Sequence, residues 1–254
     1  MVISIIGSGN AATVLGKLLK QNNHVINEVV GRNAATVNDL AKKLNANARI
    51  EIKEPDTNSD VYIIAVKDDA VAEVSSQINV AQKIAVHTCG SVSINLLNKT
   101  SENYGVLYPL QSLRKELNYE PVIPFLIDGN DAFTKKVVFE LASSISGSVL
   151  YADDEMRLHY HLSAIISSNF TNHLFALTKD YCDKNDIDFN LLLPLIEEVV
   201  NRLHYYEPSA MQTGPAIRGD EIIIQKHLQL LTDFPQLKKI YEVLSESIPN
   251  LRKS

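Results

Sequence analysis

The sequence is poor in cysteine and lacks long hydrophobic runs, and each shortage excludes a class of protein. Cys89 and Cys182 are its only cysteines, too few for the disulfide framework of a small secreted domain. Its apolar stretches are far shorter than the ~20 residues that a membrane helix requires. The first stretch, residues 2–6, ends at a glycine and does not have the form of a signal peptide. We therefore expect a cytoplasmic protein with no membrane partner.

Positive charge is scarce as well, which bears on the kind of partner. The formal net charge is −6 at pH 7, whereas binding to nucleic acid phosphates requires a basic face. We therefore predict a small-molecule substrate and no nucleic acid partner. The sequence also has no low-complexity linker and no repeat, and 45% of its 254 residues are hydrophobic. This is enough for one large domain or two of ordinary size with a sizeable core.

A glycine-rich turn near the start is the most informative motif. An apolar run at residues 2–6 precedes it and an amphipathic stretch at residues 13–19 follows it, which is the order strand, turn, helix. The pattern Gly-x-Gly-x-x-Ala in that setting is the dinucleotide-binding fingerprint, with the pyrophosphate at the helix N-terminus. The alternative is a glycine turn without a ligand. The cofactor-binding residues predicted here are Gly7, Ser8, Gly9, Asn10, Ala11 and Ala12.

The end of the second predicted strand, residues 25–30, indicates which cofactor is bound. A site selective for NAD has an acidic residue about 20 residues beyond the glycines to accept from the ribose. This sequence has Arg32 there, and Glu28 comes too early in the strand. Arginine pairs instead with a 2′-phosphate, and Asn33 can add a hydrogen bond. We predict NADP rather than NAD; the alternative is that Arg32 is a solvated loop residue.

Strand and helix patterns alternate through the first part of the chain, which is typical of a doubly wound sheet. The predicted strands are 25–30, 48–52, 61–66, 83–87, 105–111, 122–127 and 148–151, and the predicted helices are 34–44, 131–145 and one capped by Asp69 that ends near 78.

The carboxyl ends of the first, fourth and fifth strands should line one crevice, where ligands bind in open α/β sheets. Two open alternatives are that Lys67 is a surface charge and that Cys89 is a small packing residue. The cofactor contacts predicted at these strand ends are Val66, Lys67, Thr88, Cys89 and Gly90.

After residue 153 the strand patterns stop and helical patterns follow. We predict helices over 154–184 and 190–206, a third from a cap at Asp220 to 231, and a fourth from Asp233 to 247 with Pro235 in its first turn. The predicted fold class is therefore α/β: a Rossmann-type domain over residues 1–153 and an all-helical domain for substrate and dimer contacts over 154–254.

A polar stripe on the first of these helices does not suit a plain helix bundle. His161, Ile165, Ser168, Asn169 and Asn172 fall on one face by spacing. Histidine titrates near neutrality, so His161 is our candidate for the proton that accompanies hydride transfer, with Ser168 and Asn169 holding the substrate. The alternative is an interior polar network or a dimer seam. The remaining histidines lack a metal-ligand spacing, and we predict no metal.

The segment 213–220 is dense in functional groups between two helices. It contains two glycines and a proline, which define its course, and an arginine suited to clamping an anion. Asp220 has an alternative role as a helix N-cap. The residues predicted to contact substrate are Gln111, Asn172, Thr213, Arg218 and Asp220.

Several motifs together resemble a known family. They are the glycine turn, His-Thr-Cys-Gly-Ser at 87–91, Tyr-Pro-Leu-Gln-Ser at 108–112, Tyr-His-Leu-Ser-Ala at 160–164, Ser-Asn-Phe at 168–170 and the segment 213–220. The sequence is similar over its whole length to bacterial Rossmann-like proteins with a C-terminal domain of unknown function. These are related to pyrroline-5-carboxylate reductase, the deazaflavin-dependent NADP oxidoreductases and the β-hydroxyacid dehydrogenases. The resemblance implies a two-domain NADP-dependent oxidoreductase.

The sequence departs from that family in ways that limit what can be transferred. Tyr108 stands where histidine is common, which removes one possible proton donor, and Cys89 stands where serine is frequent. The first long helix lacks the lysine and asparagine pair of the β-hydroxyacid dehydrogenases, so their mechanism does not carry over.

These observations predict reversible hydride transfer between NADP(H) and a small polar, anionic substrate of imine, keto or hydroxy acid type. The alternative is a non-catalytic dinucleotide-binding or sensing protein. Apolar stripes in the helical domain, such as 199–200 and 203–206, predict a homodimer through that domain.

Overall fold

The computed structural model describes residues 1–53 and 56–252. The chain divides into two compact units, Met1–Asn169 and a second that begins at Phe170. The first unit thus contains, besides the strands, the helical residues 154–169, which the sequence analysis assigned to the C-terminal domain. The functional division at residue 153 stays a prediction.

The first unit is built on a single eight-stranded sheet among the described residues. Its strands are β1 (Val2–Ile6), β2 (Val25–Val30), β3 (Asn47–Arg49), β4 (Val61–Ile64), β5 (Ile84–His87), β6 (Asn103–Pro109), β7 (Phe125–Gly129) and β8 (Val149–Tyr151).

The strand order is β3-β2-β1-β4-β5-β6-β7-β8, which confirms the doubly wound Rossmann-type sheet. Strands β1 to β6 are parallel, β7 is antiparallel to β6, and β8 is parallel to β7. In register, Ile5 of β1 lies between Val29 of β2 and Ile63 of β4. The chain order reverses between β1 and β4, and a ligand crevice opens at the carboxyl ends of the strands beside such a point.

Helices cover both faces of the sheet, as the apolar character of its central strands requires. They are α1 (Asn10–Gln21), α2 (Ala34–Leu44), α3 (Val71–Ser76) and α4 (Ala132–Ile145). One buried cluster joins α1, α2 and α4 to one face, and another joins α3 to the opposite face through residues such as Tyr62 and Val74. Gly16 lets α1 approach α2, since a Cβ there would lie 2.5 Å from Leu44 Cδ1.

Aspartate side chains at two helix starts behave differently. Asp131 caps α4, accepting from Thr134 N at 2.7 Å. The predicted cap by Asp69 is wrong, because a short 3₁₀ turn, Asp68–Ala70, comes before α3 and no side chain caps either of them.

The predicted long helix 154–184 is present but not uniform. It consists of α5 (Asp154–Ala164), a π-helical segment (Ile165–Phe170) and α6 (Thr171–Lys184). The later helices are α7 (Leu193–Arg202), α8 (Pro215–Arg218), α9 (Glu221–Leu230) and α10 (Pro235–Ser247). Pro235 opens α10 as predicted, although the helix starts two residues after Asp233.

The second unit buries few apolar side chains. Among its described residues only Cys182, Ala216 and Leu231 are buried apolar residues, whereas the central strands β1, β4, β5 and β7 of the first unit are buried almost throughout. Large apolar side chains lie exposed instead, among them Leu191, Leu195, Val199, Val200, Leu203, Tyr205, Tyr206 and Ile222.

Two negative findings concern the described residues. None of their helices is both long enough and apolar enough to cross a membrane. No group of three or more histidine, cysteine, aspartate or glutamate side chains in residues 1–53 and 56–252 is placed to hold a metal ion.

Candidate functional site

The glycine turn between β1 and α1 can be formed only with glycine at its first position. Gly7 has a φ of +126°, and a Cβ there would lie 2.2 Å from the carbonyl oxygen of Ala65. Its N–H donates to Val30 O at 2.7 Å. The turn is therefore held between the ends of β2 and β4, at the position where strand order reverses.

The N-terminus of α1 is open to a ligand. Gly9 occupies the N-cap position without a side chain to cap the helix, and the first turn contains no acidic residue. No atom lies within 4 Å of where a Cβ of Gly9 would stand. Free N–H groups and the positive end of the helix dipole therefore face a space that suits a phosphate. Ala12 is fully buried and packs α1 on the sheet.

A cavity of about 690 Å³ lies over this turn. Of the residues predicted to bind the cofactor, those that line it are Gly7, Ser8, Gly9, Asn10, Ala11, Arg32, Val66 and Lys67. The predicted contacts Ala12, Asn33, Thr88, Cys89 and Gly90 do not line it.

Arg32 lies at the end of β2, on the side of the cavity where the fingerprint places the adenosine ribose. Its side chain is 70% exposed, and Nη1 lies 3.7 Å from Glu73 Oε1 of α3. Asn33 beside it caps α2, accepting from Thr36 N at 3.1 Å. Glu28 is buried earlier in β2, where it pairs with Arg49 at 2.7 Å. The acid of this strand is thus engaged away from the ribose position, as the sequence analysis expected.

A second cavity, about 460 Å³, lies along α5 and the end of β6. His161 and Tyr108 both line it, and Tyr108 Oη lies 3.0 Å from His161 Nδ1. The two rings meet edge to face, with centroids 6.0 Å apart. His161 therefore borders a polar cavity and not a dry apolar core.

Gly90, just beyond β5, makes room for this pair. A Cβ at Gly90 would lie 2.7 Å from His161 Nδ1 and 2.8 Å from Tyr108 Cζ. Both distances are shorter than non-bonded atoms tolerate, so a side chain at this position would displace one of the two rings. Gly90 was predicted as a cofactor contact, and the structure gives it this role under the pair.

The π-helical segment changes which side chains reach the cavity. Ser168 and Asn169 line it together with His161, and so do Ser163 and Ser167 one turn apart. Because π-helical turns are wider than α-helical turns, the 3.6-residue spacing no longer holds past Ile165. Asn172 accordingly does not line this cavity. Gln111 does line it, and its Nε2 donates to Val122 O at 3.1 Å.

The surroundings of the pair keep the hydroxyl of Tyr108 protonated. Burial, reinforced by the negative charge of Asp68, raises the pKa of Tyr108, so its hydroxyl keeps its proton. Burial also raises the pKa of the Cys89 thiol, whose Sγ lies 3.6 Å from Val66 O. A buried thiol that keeps its proton is the form expected of a packing residue.

Arg157 is a buried residue of the site that no sequence motif indicates. It lies one turn before His161 on α5, is fully buried, and donates from Nη2 to Val92 O and to Asp154 Oδ1, the latter at 2.7 Å. Burial opposes ionisation of Asp154, but hydrogen bonds from Ser93 and Arg157 outweigh it and lower its pKa. Arg157 thereby ties α5 to the segment after β5. The sequence offered no signal for this, since an arginine on a helix is usually exposed.

The remaining predicted substrate residues, Asn172, Thr213, Arg218 and Asp220, belong to the second unit. The predicted helix cap by Asp220 is wrong, because its side chain caps no N–H of α9. Its Oδ2 accepts instead from Arg218 Nε and Nη2, both at 2.8 Å. The carboxylate thus orients the guanidinium of Arg218, whose side chain is 60% exposed.

Comparisons with known proteins agree with this architecture. Residues 2–89 match the family described as NADP oxidoreductase, coenzyme F420-dependent, and residues 123–248 match a domain of unknown function, DUF2520. A protein from Bacteroides fragilis, provisionally described as an NADP oxidoreductase, is 36% identical, with 98% of each chain covered and a TM-score of 0.92. No protein with a curated description matches the chain.

Two more distant solved structures share the fold. A reductive aminase from Aspergillus terreus, in complex with NADPH and ethyl-5-oxohexanoate, is 15% identical over 99% of this chain and 94% of its own, with a TM-score of 0.75. A pyrroline-5-carboxylate reductase from Streptococcus pyogenes is 16% identical over 98% of both chains, with a TM-score of 0.63.

Proposed function

Because the chain belongs to the family of NADP oxidoreductase-type Rossmann proteins that carry a C-terminal DUF2520 domain, we propose that it transfers a hydride between NADP(H) and a small polar, anionic substrate. The observation that carries this proposal is the Tyr108–His161 pair at the end of β5 and β6, in the same sheet edge as the glycine turn. A dinucleotide sensor has no need of a proton-carrying pair at that edge. The pair therefore favours an enzyme over the sensing alternative.

The proposed cofactor site spans the cavity over the glycine turn. The α1 N-terminus would hold the pyrophosphate, and Arg32 would pair with the 2′-phosphate. Val66 and Lys67, which line the same cavity, would border the rest of the dinucleotide. Thr88, Cys89 and Gly90 follow β5 on the same edge of the sheet and would border the nicotinamide. NADPH supplies the hydride, and the protein supplies binding, orientation and the proton.

His161 is the proposed proton donor. As hydride adds to the carbon of a C=N or C=O group, the nitrogen or oxygen takes up a proton, and an imidazole suits that exchange near pH 7. Ser168 and Asn169 line the same cavity and can hold the polar group of the substrate. Arg218, oriented by Asp220, is the proposed partner of a substrate anion, with Gln111, Asn172 and Thr213 as further contacts. Imine, keto and hydroxy acids fit these requirements.

Activity is tested by following NADPH absorbance with a panel of cyclic imines, 2-keto acids and amine-plus-ketone pairs, in both reaction directions. The proposal predicts oxidation of NADPH with at least one of these classes. A protein that binds NADPH and turns over none of them would support the sensing alternative.

Replacing Arg32 with alanine tests the preference for NADP. A charge-assisted hydrogen bond contributes about 1.5–3 kcal/mol, so NADPH should bind roughly 10- to 150-fold more weakly, while NADH binding stays nearly constant. Calorimetric titration of both cofactors against wild type and Arg32→Ala measures this. Equal affinity of wild type for NADPH and NADH would contradict the prediction.

We also propose a homodimer through the helical part of the chain, because its large apolar side chains are exposed in a single chain. Sedimentation at micromolar concentration should give twice the 28.2 kDa of one chain. Val200→Lys should shift the protein toward monomer. The matched control is Phe133→Lys, which replaces an equally exposed apolar residue on α4 of the first unit. A wild-type monomer at micromolar concentration would refute the proposal.

A further inference from the structure

Arg32 meets an acidic residue from the other side of the cofactor cavity. Glu73 lies on α3, which follows β4, and Arg32 lies at the end of β2, so the two side chains approach each other across the strand order β2-β1-β4. Nη1 of Arg32 and Oε1 of Glu73 are 3.7 Å apart, and both residues line the cavity. At this distance the contact is an ion pair without a direct hydrogen bond.

The ion pair between Arg32 and Glu73 opposes the binding of a 2′-phosphate. A phosphate that binds Arg32 brings one to two negative charges beside the carboxylate of Glu73 and has to compete with it for the guanidinium. The side chains are 70% and 60% exposed, so the pair itself is weak and easily displaced. A cofactor without the 2′-phosphate does not have to displace it. The pair therefore lowers the affinity for NADP(H) and leaves the affinity for NAD(H) unchanged.

We propose that Glu73 is a selectivity-determining residue, which weakens the preference for NADP over NAD by holding Arg32 in an ion pair that the 2′-phosphate must displace. The proposal rests on the proposed function only in that Arg32 receives the 2′-phosphate. It assigns a role to a residue of α3 outside the glycine motif and outside the β2 segment that the fingerprint uses to read the ribose.

The substitution Glu73→Gln removes the charge and keeps the local backbone structure. The carbonyl oxygen of Glu73 accepts from Ser76 Oγ at 2.7 Å and from Gln77 Nε2 at 3.2 Å, and neither bond involves the carboxylate. The matched control is Glu140→Gln on α4, which removes one charge from an equally exposed, loose ion pair with Lys136 at 3.9 Å. Glu140 does not line the cavity.

The experiment titrates 2′,5′-ADP, 5′-ADP, NADPH and NADH into wild type, Glu73→Gln, Glu140→Gln, Arg32→Ala and the double variant of Arg32 and Glu73. Glu73→Gln should bind 2′,5′-ADP and NADPH about 2- to 5-fold more tightly than wild type, with 5′-ADP and NADH unchanged. The gain should shrink at high salt, because both side chains are exposed. It should also disappear when Arg32 is already alanine.

Four outcomes overturn the proposal, and the last of them also contradicts the proposed cofactor site. An unchanged affinity in Glu73→Gln, or the same gain in Glu140→Gln, shows that Glu73 does not set selectivity. A gain that persists in the Arg32→Ala background shows that it does not act through Arg32. If wild type binds neither NADPH nor 2′,5′-ADP, the proposed cofactor site fails together with this inference.

Discussion

The His161→Ala variant will reduce substrate with NADPH about 10²–10⁴-fold more slowly than wild type, with an almost unchanged affinity for NADPH. This is the usual effect of losing a general acid. His161 is half-buried, lines the cavity shared with Ser168 and Asn169, and sits 3.0 Å from the hydroxyl of Tyr108. Its absence leaves hydride transfer without a positioned proton but leaves the glycine turn and Arg32 intact.

The measurement is a comparison of steady-state turnover and of NADPH affinity by calorimetry, with a substrate found in the panel above. His159→Ala is the matched control, since His159 is an exposed histidine on the same helix that does not line the cavity. It should retain near wild-type turnover. A His161→Ala variant that turns over within threefold of wild type would remove His161 from the mechanism.

Stability will fall by roughly 3 kcal/mol between pH 7 and pH 4 because of His87 alone. His87 ends β5 and is fully buried, with its Nδ1 accepting from Cys89 N at 3.2 Å. Burial, together with the positive charge of Arg157, lowers its pKa from 6.5 to about 4. Between these two values the unfolded chain binds a proton that the folded protein does not, so stability decreases as the pH falls.

Urea unfolding at several values between pH 4 and pH 7 measures this dependence. His87→Asn keeps an acceptor near Cys89 N without a titratable ring, so its free energy of unfolding should change less over that range. Asp154 has a lowered pKa, so most of its contribution is lost below pH 4, and it is the same in wild type and His87→Asn. An equally steep pH dependence in wild type and His87→Asn would show that His87 is not the cause.

The fold could be predicted because its signals are local. The run at 61–64 is apolar throughout, as a strand buried on both faces has to be, and the glycine turn fixes where the first strand ends. Profile matches and the 36% identical relative confirm the family and the NADP oxidoreductase type that its motifs indicated. The helix cap at Asp220 could not be predicted from the sequence, because the neighbouring Arg218 donates to the carboxylate that would cap the helix.

The candidate site was only partly predictable, because it depends on contacts between distant residues. The polar stripe predicts His161, but its partner Tyr108 lies 53 positions earlier, and no spacing rule connects the two. The 3.6-residue spacing applies only to an unbroken α-helix. The π-helical segment Ile165–Phe170 interrupts the helix, so this spacing does not predict the position of Asn172. Position 90 requires glycine because the rings of Tyr108 and His161 leave no space for a side chain, and no local sequence pattern shows this.

Few apolar side chains are buried after residue 170, so amide hydrogens there should exchange much faster than those in the first unit. Local opening costs little where few apolar contacts are lost, and it approaches the global free energy only in a dense core. Amides of β1, β4 and β5 will therefore report the stability of the whole first unit. Amides of α7 and α9 will exchange as slowly only when a second copy of the chain covers the apolar faces of these helices. Their protection should therefore increase with protein concentration.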